Sequence, residues 1–103
     1  MKYIGRYNNG NYQVSIQEAE LGLRPLPPCN HLMNHSPDGF AWGYGGSGPA
    51  QLALAICASR VPEDVALDIY QSFKHLVVAK LPQMEDFVLE SDVVDEVIAR
   101  LHA

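Results

Sequence analysis

Several things are scarce in this sequence, and each shortage excludes a class of protein. Lysine and arginine number seven against twelve acidic residues, a formal charge of −5. So few cations exclude a protein that coats nucleic acid non-specifically, because phosphate contacts need clustered Lys or Arg. The same balance suits a protein that meets a basic partner surface. Charged residues amount to only 18% and apolar residues to 48%, which argues for a folded core rather than disorder. No apolar run approaches the roughly 20 residues of a membrane span. Met1 to Tyr7 carries charges and lacks the apolar stretch of a signal peptide, so a cytoplasmic location is expected. Two cysteines, Cys29 and Cys57, do not make a disulfide framework. Cys57 lies within an apolar helical run and reads as a buried free thiol. Cys29 sits in a proline-rich loop, and a disulfide between the two is left open. There are no repeats, linkers or low-complexity segments, and 103 residues suit one domain spanning residues 1–103.

What is present reads as an α+β fold. Lys2 to Tyr7 is rich in β-formers, and Tyr12, Val14 and Ile16 alternate with Gln13, Ser15 and Gln17. With an Asn/Gly turn between them, the two stretches predict a β-hairpin. Arg24-Pro25-Leu26-Pro27-Pro28 cannot be helical and reads as a polyproline-like or edge segment. Asn30 to His35 and Phe40 to Trp42 are expected as a second hairpin, joined by the turn Ser36-Pro37-Asp38-Gly39. Three helices follow. Ala50 to Ala58 is apolar on nearly every face and belongs at the centre of the core. Its expected start has Gly48 as N-cap, Pro49 in the first helical position, and Gln51 placed to reach back as in a capping box. Pro62 opens a second helix with the inward stripe Ala66, Tyr70, Phe73, Val77 and Leu81, stopped by Pro82. Phe87 to Leu89 reads as a short strand or a packed turn. Ser91 is expected to cap a last helix, with Val94, Val97, Ile98 and Leu101 facing inward.

The feature most suited to chemistry is Gly43-Tyr44-Gly45-Gly46-Ser47-Gly48, four glycines in six positions before a helix. A helix N-terminus presents unpartnered N–H groups and positive dipole charge. Glycines let an anion approach the backbone without Cβ obstruction. Ser47 adds a hydroxyl, Tyr44 or Trp42 could stack on a ring, His35 is the nearest histidine, and Arg6 and Lys74 are the cations best suited to a phosphate. The loop is neither a Walker loop nor a dinucleotide fingerprint. The same glycines also suit a purely structural role, a bulge and a tight strand-to-helix corner.

The run from His35 to Ile56, with Phe40-Ala41-Trp42-Gly43-Tyr44-Gly45-Gly46-Ser47-Gly48-Pro49-Ala50-Gln51-Leu52 at its centre, resembles the hallmark of a family of short bacterial and phage proteins of unknown function. Arg24-Pro25-Leu26-Pro27, Tyr70-Gln71-Ser72-Phe73-Lys74 and Ala79-Lys80-Leu81-Pro82 extend the resemblance over most of the chain. It carries over no activity and no catalytic residue. What it implies is a setting in phages and mobile elements, where small acidic proteins serve as accessory or anti-defence factors.

Other constellations are thin. Cys29, His31 and His35 lie within seven residues, but a structural zinc site needs four ligands and no second cluster exists. Ser47, His35 and Asp38 could form a triad only if something oriented them, and Pro49 breaks the nucleophile-elbow pattern at its last position. Glu85, Asp86 and Glu90 near Asp92 read as a solvated acidic face rather than a general acid–base pair. No metal, cofactor or catalytic group is assigned. The leading expectation is a non-enzymatic binder of a phosphorylated small molecule or nucleotide at the glycine loop. The alternative is an acidic module that inhibits a host complex by protein contact, docking through its acidic face and the strip Arg24 to Pro28. Homo-oligomerisation is expected if the apolar Ala50–Ala58 helix needs a partner to cover it.

Overall fold

The computed structural model describes residues 1–20, 22–36 and 39–102. Four strands form an antiparallel sheet in the order β3-β2-β1-β4, with three helices on one of its faces. The hairpin is the one the alternation predicts: β1 (Lys2–Asn8) pairs with β2 (Asn11–Glu18), and Asn8 faces Asn11 across a two-residue turn. Asn9 and Gly10 both adopt positive φ, +49° and +88°, the twist that joins strands without splaying them. Tyr3, Val14 and Ile16 point inward and are buried, whereas Arg6, Gln13 and Gln17 lie on the exposed outer face.

The other two strands are not the expected second hairpin. β3 (Gly22–Pro25) runs beside β2, and β4 (Phe87–Glu90) runs beside β1. Leu26 donates to the Val14 carbonyl at 3.1 Å, but Pro27 and Pro28 lack N–H groups and take the chain off the sheet. Asn30 to His35 forms turns instead of a strand. Asn30 Nδ2 donates to Asn34 Oδ1 at 3.0 Å and to the Ser36 carbonyl at 3.3 Å, and the Leu32 amide bonds the Cys29 carbonyl. Short polar side chains bonding nearby backbone compete with a ladder in this way. Phe40 to Trp42 pairs with no strand, and its Trp42 side chain is bonded to the segment before β4. The central residues of the expected turn, Pro37 and Asp38, lie outside the described residues.

α1 (Ser47–Ala58) buries ten of its residues, Leu52 to Cys57 almost completely. Sheet, α2 and α3 supply that cover within the chain, so the argument for a covering subunit loses its premise. α1 starts earlier than expected. Gly46, not Gly48, is the N-cap, and Pro49 occupies the third helical position, where it still displaces no intrahelical bond. α2 (Glu63–Leu76) presents Ala66, Ile69, Tyr70 and Phe73 to the core. It ends before Val77, a 3₁₀ turn (Val78–Lys80) intervening before Pro82. α3 (Ser91–Leu101) follows β4 without a loop. Ser91 is not its cap: Glu90 holds that position, and the buried Ser91 donates its amide to the Met1 carbonyl at 3.0 Å, extending the β1–β4 ladder. Both cysteines are free thiols.

Candidate functional site

The glycine loop hangs from two fixed points. Trp42, fully buried, donates its indole N–H to the carbonyls of Pro82 at 3.1 Å and Glu85 at 3.0 Å. Tyr12 and Phe87 pack edge-on against its ring, each at 4.7 Å between centroids. Trp42 is therefore unavailable to stack on a ligand, a correction to the sequence reading. Gly43 comes next, with φ +87°, and donates its amide to the Val78 carbonyl at 3.0 Å. A Cβ there would lie 2.6 Å from Gln83 Cα, so the residue is glycine for packing. The second fixed point is Gly48, buried where a Cβ would come within 2.7 Å of the Ala41 Cβ.

Between these points the loop faces outward. Tyr44 is 42% exposed, Gly45 and Ser47 are exposed, and the Tyr44 ring folds back over Gly46. Nothing approaches within 4 Å of where a Gly45 Cβ would stand. Among the described residues, the amides of Tyr44 to Gly48 meet no protein acceptor and no side chain caps α1. No acidic residue occupies the first turn to offset its dipole. Pro49 removes one donor from the helix end and Gly48 is buried, so the amides of Gly45, Gly46 and Ser47 are what an anion could meet.

The other expected site residues serve elsewhere. Gln51, fully buried, does not reach back to cap the helix. Its Oε1 accepts the amides of His35 at 2.8 Å and Ser36 at 3.2 Å, and its Nε2 donates to the Pro28 carbonyl at 2.6 Å. The chain after β3 is thereby tied to α1, and Gln51 is withdrawn from any ligand role. His35 Nε2 lies 2.6 Å from the Tyr70 hydroxyl. Arg6 projects from the outer face of β1, 3.7 Å from Asp86, whose other oxygen accepts the Tyr7 amide at 2.8 Å. Lys74 is half-buried on α2, four residues before Val78. Among the described residues the ion-pair partner of Arg6 is Asp86 and not a group of the loop.

Cys29, His31 and His35 go three ways. The Cys29 thiol approaches the Pro27 carbonyl, His31 lies 3.8 Å from Glu63, and His35 is held by Tyr70. Burial, and then the Glu63 charge, raise the Cys29 thiol above its ordinary pKa, opposite to the activation a nucleophile needs.

Two features were missed by sequence reasoning. Tyr7, Tyr12, Trp42 and Phe87 form one continuous edge-to-face series. The alternation that turns Tyr12 inward with Val14 and Ile16 was the available signal. Two open clefts also flank the proline-rich strip. One of about 160 Å³ involves Arg24, Pro27, Cys29 and Ser59, and one of about 390 Å³ involves Tyr12, Pro25, Pro28 and Phe40. Neither is lined by the glycine loop.

Fold and loop together define a small α+β protein, three helices on one face of a four-stranded antiparallel sheet, with an exposed glycine turn opening its central helix. The chain matches the family of unknown function DUF6166 over residues 3–100 and belongs to that family. No curated protein and no solved structure matches it. Among the described residues no helix is long and apolar enough to cross a membrane.

Proposed function

We propose that this chain is a non-enzymatic binding protein that holds an anionic group, the phosphate of a small molecule or nucleotide, on the outward-facing amides from Gly45 to Ser47. The observation that supports this reading is the combination of an uncapped α1 N-terminus with open space over Gly45. Tyr44 is the aromatic side chain left free to lie against a base or sugar, since Trp42 is committed to the core. In the phage and bacterial setting that the family resemblance suggests, such a protein would sequester a signalling nucleotide.

Thermal-shift titration with inorganic phosphate and a panel of linear and cyclic nucleotides tests the proposal. A ligand should raise the melting temperature of the native chain and not that of Gly45→Asp. That variant sets a competing carboxylate beside the same amides, in space where the fold tolerates a side chain. No shift with any member of the panel would reject the reading.

A second reading, a protein-interaction module directed at a host complex, is favoured by a different observation. The helices cover one face of the sheet, and the other face, with exposed Leu23 and Val88, is uncovered. Pull-down from host lysate with the native chain and with Gly45→Asp separates the two. A stoichiometric protein partner retained by the variant supports contact away from the loop.

A further inference from the structure

The two edges of the sheet are unlike. On β3, the pairing of Ile16 with Arg24 and of Glu18 with Gly22 turns the backbone of Leu23 and Pro25 outward, and Pro25 has no N–H to offer. That edge is blunted, as edges commonly are. On β4 the register is fixed at both ends, by the Tyr7 amide directed at Asp86 and by the Ser91 amide bonded to Met1. Tyr3 with Leu89 and Gly5 with Phe87 are then the hydrogen-bonded pairs. Val88 and Glu90 consequently aim their backbone groups away from β1. Among the described residues, the Val88 N–H and C=O and the Glu90 N–H find no partner.

The charged side chains of β4 and of the two residues before it carry one sign. Glu85, Asp86 and Glu90 are exposed around Val88, itself 61% exposed. Arg6 and Lys2 face Asp86 and Glu90 only at 3.7 and 3.8 Å, loose pairings that leave carboxylate lone pairs for a second cation. A second copy of this chain fits poorly. Antiparallel pairing of β4 with β4 about Val88 sets Glu90 of one copy against Asp86 of the other, twice over, and like charges placed opposite each other are destabilising.

We propose that the outer edge of β4 is a docking strand for an extended, basic segment of another protein, with an apolar residue opposite Val88 and Lys or Arg two residues to either side. Residues two apart share a face of a strand, so such a segment sets its cations over Asp86 and Glu90 while its main chain bonds Val88. This is strand addition, with backbone bonds supplying affinity and the flanking charges supplying selection. It rests on the interaction reading above and is independent of the glycine loop.

The test is a titration of the isotope-labelled full chain with a capped Thr-Lys-Thr-Val-Thr-Lys-Thr peptide and its twin carrying Glu for Lys, read by amide chemical shifts. The expected result is saturable shifts concentrated at residues 86–90 with the basic peptide and none with the acidic one. Val88→Pro removes the outward N–H at a position where an edge strand accepts proline, and should weaken binding by about tenfold or more. Glu90→Gln should weaken it several-fold without touching the backbone, and decides the matter if Val88→Pro does not fold. No saturable shift at about 5 mM peptide overturns the inference, the interaction reading then being decided by the lysate pull-down. Shifts elsewhere on the protein, equal binding of the acidic peptide, or a concentration-dependent β4–β4 dimer in sedimentation would also overturn it.

Discussion

The Gln51 side-chain carbonyl accepts the His35 amide at 2.8 Å, which fixes a residue of the central helix to a segment sixteen positions earlier in the chain. With the bonds to Ser36 and Pro28, this one buried amide satisfies three backbone groups that have left the sheet. Gln51→Leu should cost roughly 1–3 kcal/mol, because it leaves the half-buried His35 and Ser36 amides and the Pro28 carbonyl without their shared partner rather than removing a matched pair. Urea denaturation gives the loss. Faster hydrogen exchange at His35 and Ser36 distinguishes this origin from a simple packing defect.

Trp42→Phe should cost roughly 1–3 kcal/mol, since the carbonyls of Pro82 and Glu85 lose their common donor and the ring is smaller. In the native chain the fluorescence of this single tryptophan should be blue-shifted and resist acrylamide quenching. No ligand should change it by direct stacking.

The loop glycines should separate into structural and open positions. Gly43→Ala meets both a positive φ and the Gln83 backbone and should lose roughly 2–4 kcal/mol. Gly45→Ala meets nothing within 4 Å, and should leave stability unchanged or raise it by a few tenths of a kcal/mol through a less flexible unfolded chain. Denaturant midpoints of the two variants, measured side by side, check the contrast.

Arg60 binds Asp95 through two hydrogen bonds, 2.8 and 2.6 Å, and these hold the Asp95 carboxyl below its ordinary value of 3.8. A group with a depressed folded pKa stabilises above its unfolded pKa and loses that contribution as pH falls through the folded one. Asp95→Asn should therefore cost roughly 0.5–1 kcal/mol at neutral pH, a modest figure because both side chains are partly exposed. The difference from the native chain should shrink as pH falls below 3.8 and vanish only once pH is below the depressed folded value.

At alkaline pH the sign is opposite. Burial pushes the Cys57 thiol up to about 12 and raises the Tyr3 hydroxyl above 10.0. The unfolded chain releases these protons first, so stability should fall as pH rises above about 9. A thiol reagent at neutral pH should reach Cys29 slowly and Cys57 only after unfolding.

Local signals in the chain were legible wherever neighbouring residues decide the outcome. Tyr12-Val14-Ile16 alternation and Asn9-Gly10 specify the hairpin, and the apolar spacing around Phe73 and Val94 specifies two helix faces. Strand partnership was not legible. Asn30 to His35 is no less strand-like locally than Gly22 to Pro25, and Phe87 to Leu89 could equally have been a packed turn. The choice depended on which segment could reach the two free edges of the hairpin. The start of α1 was also missed, because Pro49 suits any position of a first turn.

The residues by themselves determined that this chain is an α+β protein with an apolar central helix entered through a glycine turn, since propensity, periodicity and proline geometry act over a few neighbours. Tertiary structure alone decided the roles within that frame. It buried Trp42 and Gln51, opened Gly45, and left the outer backbone groups of β4 unpaired. Those outcomes depend on which donors and acceptors meet across 16 to 43 residues of chain, and no local pattern encodes that.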